Sequence, residues 1–139
     1  MKARPLQAAT KLHHLAIQVV DLDRAEAFYA GLLGLPVLRR WEDGAGRPRS
    51  VWLQLDGGAF LALERCDEPG RQPAWSSPEA GLHLLAVEIA AADRAAWEAR
   101  LDRAGHPKVQ ETDFTFYVRD PDGNRIGLSH HPTPAPGGG

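Results

Sequence analysis

His14 precedes a stretch, Leu15-Ala16-Ile17-Gln18-Val19, in which large apolar residues alternate with small or polar ones. A period of two marks a half-buried strand, so Leu15, Ile17 and Val19 face a core while His14 and Gln18 face the other way. An imidazole on that face can hydrogen-bond a ligand or transfer a proton near neutral pH; the plainer role is a strand histidine satisfied by a neighbour. Trp52 and Gln54 alternate in the same manner with Val51, Leu53 and Leu55, and Thr115, Tyr117 and Arg119 occupy every second position of a later run. An aromatic wall with a few amide, hydroxyl and guanidinium groups suits a flat or amphipathic organic ligand. For Trp52 a subunit contact is the rival role. His13 and His14 together invite a metal, yet neighbours in a strand point to opposite faces, so only one of them addresses a cleft. Trp41 and Trp97 read as packing residues. Trp75 reads as a surface anchor or as a cover over a cleft mouth. Asp120-Pro121-Asp122-Gly123-Asn124 reads as turn chemistry rather than as a catalytic group. No Ser-His-Asp arrangement, phosphate-cradling glycine loop or nucleotide fingerprint is present.

Positioning these side chains falls to a simple set of elements. After Val20, Asp21 or Asp23 can cap a helix on which Ala25, Phe28, Tyr29, Leu32 and Leu33 recur at helical spacing, with Gly34 and Pro36 to end it. A strand from Val37 to Trp41 leads into a Gly- and Pro-bearing loop that reads as mobile. Runs Val51 to Leu55 and Phe60 to Glu64 follow, joined by a turn at Asp56-Gly57-Gly58. This is one βαβββ unit. Leu85-Ala86-Val87-Glu88-Ile89 then copies Leu15-Ala16-Ile17-Gln18-Val19 at a shift of 70 (85 minus 15), and Gly34 and Pro36 recur as Gly105 and Pro107 at a shift of 71. The second helix carries Ala95, Trp97, Ala99 and Leu101. The expected organisation is an extension at 1–11, module one at 12–66, a linker at 67–80, module two at 81–131 and a tail, disordered from Pro132, at 132–139.

At 139 residues the chain can bury a core without disulfides, and its single cysteine, Cys66, excludes a disulfide framework and paired-cysteine zinc patterns. A net charge of -2 with scattered Arg residues argues against nucleic acid. The N-terminus lacks the apolar stretch of a secretory signal, and nothing later is long and apolar enough to span a membrane, so the expected location is the cytoplasm.

The segments HHLAIQVVDLDRAEAFYAGLLGLPV and YVRDPDGNRIGL resemble the opening strand and helix and the closing hairpin of the vicinal oxygen chelate superfamily, which includes glyoxalases, bleomycin-resistance proteins and ring-cleaving dioxygenases. The resemblance runs from Leu12 to His131. It implies an α+β fold of two tandem βαβββ modules forming a curved mixed sheet, helices on the convex side and the ligand in the concave cleft. His14, Ala16, Gln18, Leu84, Ala86 and Glu88 then face the cleft. In the family a divalent metal is held from the first and last strands of each module, and the matching positions here are His14, Ala62, Leu84 and Gly127. Three of these four have no donor side chain. His83 is one residue off and faces the other side. Glu64 and His131 share the faces of Ala62 and Gly127, so a displaced site with His14 is conceivable, although a two-residue step moves a donor roughly 6–7 Å.

The sequence therefore leads to a small-molecule-binding protein without a cofactor that binds or sequesters a hydrophobic or aromatic compound. Its ligand-binding set is His14, Gln18, Trp52, Gln54, Glu64, Leu84, Tyr117 and Arg119, and the resemblance implies a cleft shared by a homodimer. The alternatives are a divalent-metal-dependent lyase, isomerase or dioxygenase with a rearranged site, and a metal-free acid/base enzyme using His14 with Glu64 or Tyr117.

Overall fold

The alternation at the start of module one builds strand β1 (His14–Val19), in which Leu15 and Ile17 are half-buried, Val19 is buried, and His14, Ala16 and Gln18 are exposed. In this computed structural model residues 4–70 and 72–137 are described. Asp21 caps helix α1 (Leu22–Glu26), its carboxylate accepting the Arg24 amide at 3.0 Å. The helix widens into a π-helical turn over Ala27–Leu32 that buries Phe28 and Tyr29, and Gly34, at φ 85°, turns the chain out. Strands β2 (Val37–Glu42), β3 (Pro48–Gln54) and β4 (Phe60–Arg65) complete a sheet of order β1-β4-β3-β2, with β1 parallel to β4.

The β2–β3 loop, expected to be mobile, is a closed turn. The Asp43 carboxylate accepts the amides of Ala45 (2.9 Å) and Arg47 (3.0 Å) and is gripped by Arg65 at 3.1 Å. Those hydrogen bonds, the Arg47 amide first and the Arg65 guanidinium next, pull its pKa down to about 2. Gly46, at φ 78°, supplies the left-handed residue of this turn.

Module two repeats the plan with β5 (Leu85–Glu88), α2 (Arg94–Arg103), β6 (Gln110–Glu111), β7 (Thr115–Arg119) and β8 (Arg125–Ser129), in the order β5-β8-β7-β6. The duplication extends to register: Ala16 lies beside Ala62 in module one, and Ala86 beside Gly127 in module two. The two sheets share no strand pairing among the described residues. After β8 the chain makes a turn in which the Thr133 amide donates to the His130 carbonyl at 2.8 Å and the His130 ring bonds the Thr133 carbonyl. Residues 138–139 of the tail lie outside the described ones.

One core joins the modules. Phe28, Leu53, Leu61 and Leu63 from the first pack in the same buried cluster as Leu101, Phe116, Val118, Ile126 and Leu128 from the second. The seam is also polar: Tyr29 Oη donates to Asp120 at 2.6 Å, the Val20 amide to Asp122 at 3.2 Å, and Arg100 to the Gly31 carbonyl at 3.0 Å. The core is made by the helix-facing sides of both sheets. The opposite faces, which carry His14, Trp52 and Tyr117, lie outside it.

Candidate functional site

The open face of the module-one sheet is laid out in three rows by strand register. His14, Phe60 and Gln54 form the first; Ala16, Ala62, Trp52 and Arg39 the second; Gln18, Glu64, Ser50 and Trp41 the third. Ala16 is exposed, whereas Ala62 and Ser50 are buried beneath the larger side chains of this face. His14 and Phe60 stack at 4.8 Å with 7° between planes, Phe60 and Trp52 at 4.3 Å with 26°, and Trp52 meets Trp41 at 5.1 Å. The Arg39 guanidinium sits 3.6 Å over the Trp41 ring, a cation–π contact that ends the series. Four rings thus run across β1, β4, β3 and β2, and His14 and Gln54 at one edge are exposed.

Two members of this series escape sequence reasoning. From sequence, Trp41 reads only as a packing residue. A register shift between Val37 and Arg39 breaks the parity of β2: Val37 pairs with core-facing Leu53, while Trp41 lies beside Ser50 on the open face. Phe60 has the parity of Ala62 and Glu64 within β4, and that was the signal available for it. His13 also departs from expectation. It precedes β1, so strand alternation does not bind it; its ring meets Phe60 at 5.7 Å and its Nδ1 lies 2.9 Å from that of His14.

The remaining site candidates divide between this face and the second sheet. Gln18 and Glu64 are neighbours in the third row, four residues along from His14 and Phe60, or about 13 Å at 3.3 Å per residue. Tyr117, Thr115 and Arg119 lie on the open face of module two. There Trp75 folds from the linker onto Tyr117 at 4.8 Å and His83 at 5.4 Å, with Arg125 5.7 Å over its ring. Trp75 is therefore a cover on the second sheet. Arg119 donates to the carbonyls of Gly123 and Pro73, both at 2.7 Å, and so holds the linker to the hairpin. Leu84 stands one residue before β5 and lines a cavity of about 50 Å³ between the modules with Leu15, Ile17 and Tyr29. No hydrogen bond or ring contact joins the His14–Trp52 group to the Tyr117–Trp75 group among the described residues.

This arrangement of two repeated modules can be compared with known proteins. A family model described as the Glyoxalase/Bleomycin resistance protein/Dioxygenase superfamily matches residues 11–128. The chain belongs to that superfamily. The uncharacterized protein YwkD of Bacillus subtilis (strain 168) is 32% identical over 124 residues, covering 80% of this chain and 89% of the relative. Among solved structures, a glyoxalase/dioxygenase from Nostoc punctiforme is similar at a TM-score of 0.74 and 20% identity, over 95% of this chain and 100% of that one. The glyoxalase family protein from Enterococcus faecalis is similar at a TM-score of 0.69 and 27% identity, over 88% of this chain and 98% of that one.

The superfamily's metal positions, as the resemblance lays them out, do not fit a metal here. Ala62 and Gly127 present no donor, and Leu84 none either. A side chain at Gly127 is opposed by the Tyr117 ring: a Cβ there would lie 3.1 Å from the ring and 3.3 Å from the Thr115 methyl. The displaced set does not gather either. Glu64 keeps its distance from His14, and His131 packs its ring on Phe114 at 5.0 Å beyond the end of β8. Among the described residues no group of three or more His, Cys, Asp or Glu could hold a metal ion. Replacing Gly127 with alanine is expected to cost about 1–2 kcal/mol through overpacking against Tyr117. Thermal denaturation checks this, and an unchanged midpoint would mean that the ring yields freely.

No helix among the described residues is long and apolar enough to cross a membrane.

Proposed function

We propose that this protein binds a flat, apolar or aromatic small molecule on the open face of the module-one sheet, without a metal, and that a second copy supplies the opposing wall of the cleft. The observation that carries the reading is the series His14, Phe60, Trp52 and Trp41, the first three stacked at 4.3–4.8 Å and Trp41 tilted against Trp52 at 5.1 Å, on a face that the chain's own core leaves uncovered. Rings already ordered against one another lose little freedom when a planar ligand joins the stack, and the ring faces and the ligand leave water together. Exposed amides at Gln18 and Gln54 flank the platform and supply edge hydrogen bonds that set orientation. Superfamily membership supports both parts, since its members bind small molecules and often form dimers. Sequestration by burial needs no reacting group, which suits a face on which the ring neighbours of His14 are His13 and Phe60 rather than Glu64 or Tyr117.

A panel of planar aromatic natural products titrated against intrinsic tryptophan fluorescence tests this. A saturable change is expected with at least one compound, and Trp52→Ala should weaken that compound about 10-fold or more, the equivalent of about 1.4 kcal/mol of lost stacking and burial. No response across the panel, or a response that Trp52→Ala leaves intact, removes the proposal.

A further inference from the structure

The aromatic platform ends on a positive charge. Arg39 is the β2 member of the row that holds Ala16, Ala62 and Trp52, and it lies directly beside Trp52 in register. Its guanidinium carbon stands 3.6 Å over the centre of the Trp41 ring, which is the separation of two groups in van der Waals contact face to face. A guanidinium laid on a ring spends its face there and keeps its N–H groups, which radiate in its own plane, for acceptors.

No acceptor of the chain takes them. Arg39 is exposed and forms no hydrogen bond or ion pair among the described residues. Arg40 beside it is paired with Glu26, and Arg47 and Arg65 share Asp43. An unpaired arginine in water is ordinary; one held against an indole at the end of a ring series is not. Contact with Trp41 restricts the side chain, so less freedom is lost when an anion meets it. Glu64, the acidic residue of the same face, lies in the third row on β4, two strands from β2, and does not pair with Arg39.

We propose that the ligand of the platform is an aromatic anion, a planar ring bearing a carboxylate, with the ring against Trp52 and the carboxylate accepting from the Arg39 guanidinium. The inference rests on the platform reading and narrows it to a class of compound. A carboxylate matches the forked N–H groups through two parallel bonds, whereas a neutral amide offers one oxygen without charge and an ammonium is repelled. Because Arg39 is exposed, the pair selects by severalfold rather than by orders of magnitude.

Three probes of one shape test this on the full chain by isothermal titration: naphthoate, naphthamide and naphthylmethylamine, all substituted at the same ring carbon. Naphthoate is expected to bind about fivefold more tightly than naphthamide, and the amine no more tightly than naphthamide. Arg39→Gln should abolish that preference while leaving naphthamide within about twofold, and Arg39→Lys, which keeps a charge but loses the fork, should retain about twofold. In the unaltered chain, about 1 M NaCl, where the Debye length is about 3 Å, should likewise bring the preference below about twofold. Equal affinity for naphthoate and naphthamide, a preference that survives Arg39→Gln, tightest binding of the amine, as pairing with Glu64 would give, or binding of none of the three overturns the proposal. Naphthamide separates the two readings because it carries the ring without the charge. Naphthamide binding that Trp52→Ala weakens, with no gain from the carboxylate, defeats this inference alone; binding of the probes that ignores Trp52→Ala defeats the platform reading and this inference with it.

Discussion

Replacing Asp120 with alanine should destabilise the chain by about 3–5 kcal/mol and lower its melting temperature by roughly 10–15 °C. Asp120 is 4% exposed and serves four donors: Tyr29 Oη at 2.6 Å, the Asn124 amide at 2.8 Å, the Asn124 side chain at 2.9 Å and the Asp122 amide at 3.0 Å. Alanine orphans all of them at the joint where module one's helix meets module two's hairpin. Tyr29→Phe removes only the first and should cost about 1.5–3 kcal/mol, as expected for one hydrogen bond to a charged group. The same contact sets an alkaline limit. Burial, and then the Asp120 carboxylate, push the Tyr29 phenol far above its ordinary value of 10.0. Its folded-state pKa is raised, so its contribution is complete below about pH 10 and declines as pH rises beyond that. Urea denaturation of the three proteins across alkaline pH checks both parts. A Tyr29→Phe cost equal to that of Asp120→Ala, or no flattening of the alkaline decline in Tyr29→Phe, would count against this account of the joint.

Phe60→Ala should have the largest effect on ligand binding, about 30–100-fold, or roughly 2–3 kcal/mol. Phe60 is the middle of the platform. It stacks on His14 from one side and on Trp52 from the other, so its loss frees both neighbours to leave the arrangement that presents them to the ligand. It is only half-buried, so the stability cost should stay near 1 kcal/mol, well below the 3–5 kcal/mol of a fully buried Phe. Gln54→Ala, in the same row and exposed, should change affinity by less than about threefold. Isothermal titration of the two variants against the compound selected by fluorescence separates the roles. Equal losses at Phe60 and Gln54 would mean that edge hydrogen bonds, not ring stacking, hold the ligand.

Much of the fold was readable because it repeats. The alternation in β1 assigns its faces correctly, and the shift of 70 between Leu15 and Leu85 reappears as equivalent register in two sheets of the same order. What local pattern hid was whatever depended on an irregularity or on distance along the chain. The bulge in β2 moves Trp41 to the open face, and no composition rule announces it. Trp75 belongs to a linker without periodicity, so its path over Tyr117 follows from contacts made by Arg119 and Arg125 with linker carbonyls. Asp120 was readable as a turn residue, and it is one, but its bond to Tyr29 spans 91 positions. Arg119 and Tyr117 do sit on the face assigned to them; what could not be foreseen was the linker lying against both.

The proposed function requires the ring series, and not a metal, to hold the ligand. The most direct measurement is calorimetric titration of the unaltered chain with the selected compound, once after treatment with a chelator and once with added Mn²⁺, Ni²⁺ or Zn²⁺. The same affinity is expected in all conditions, with a weakening of about 30–100-fold in Phe60→Ala. Binding that vanishes with the chelator, returns with metal and depends on His14 rather than Phe60 would contradict the proposed function.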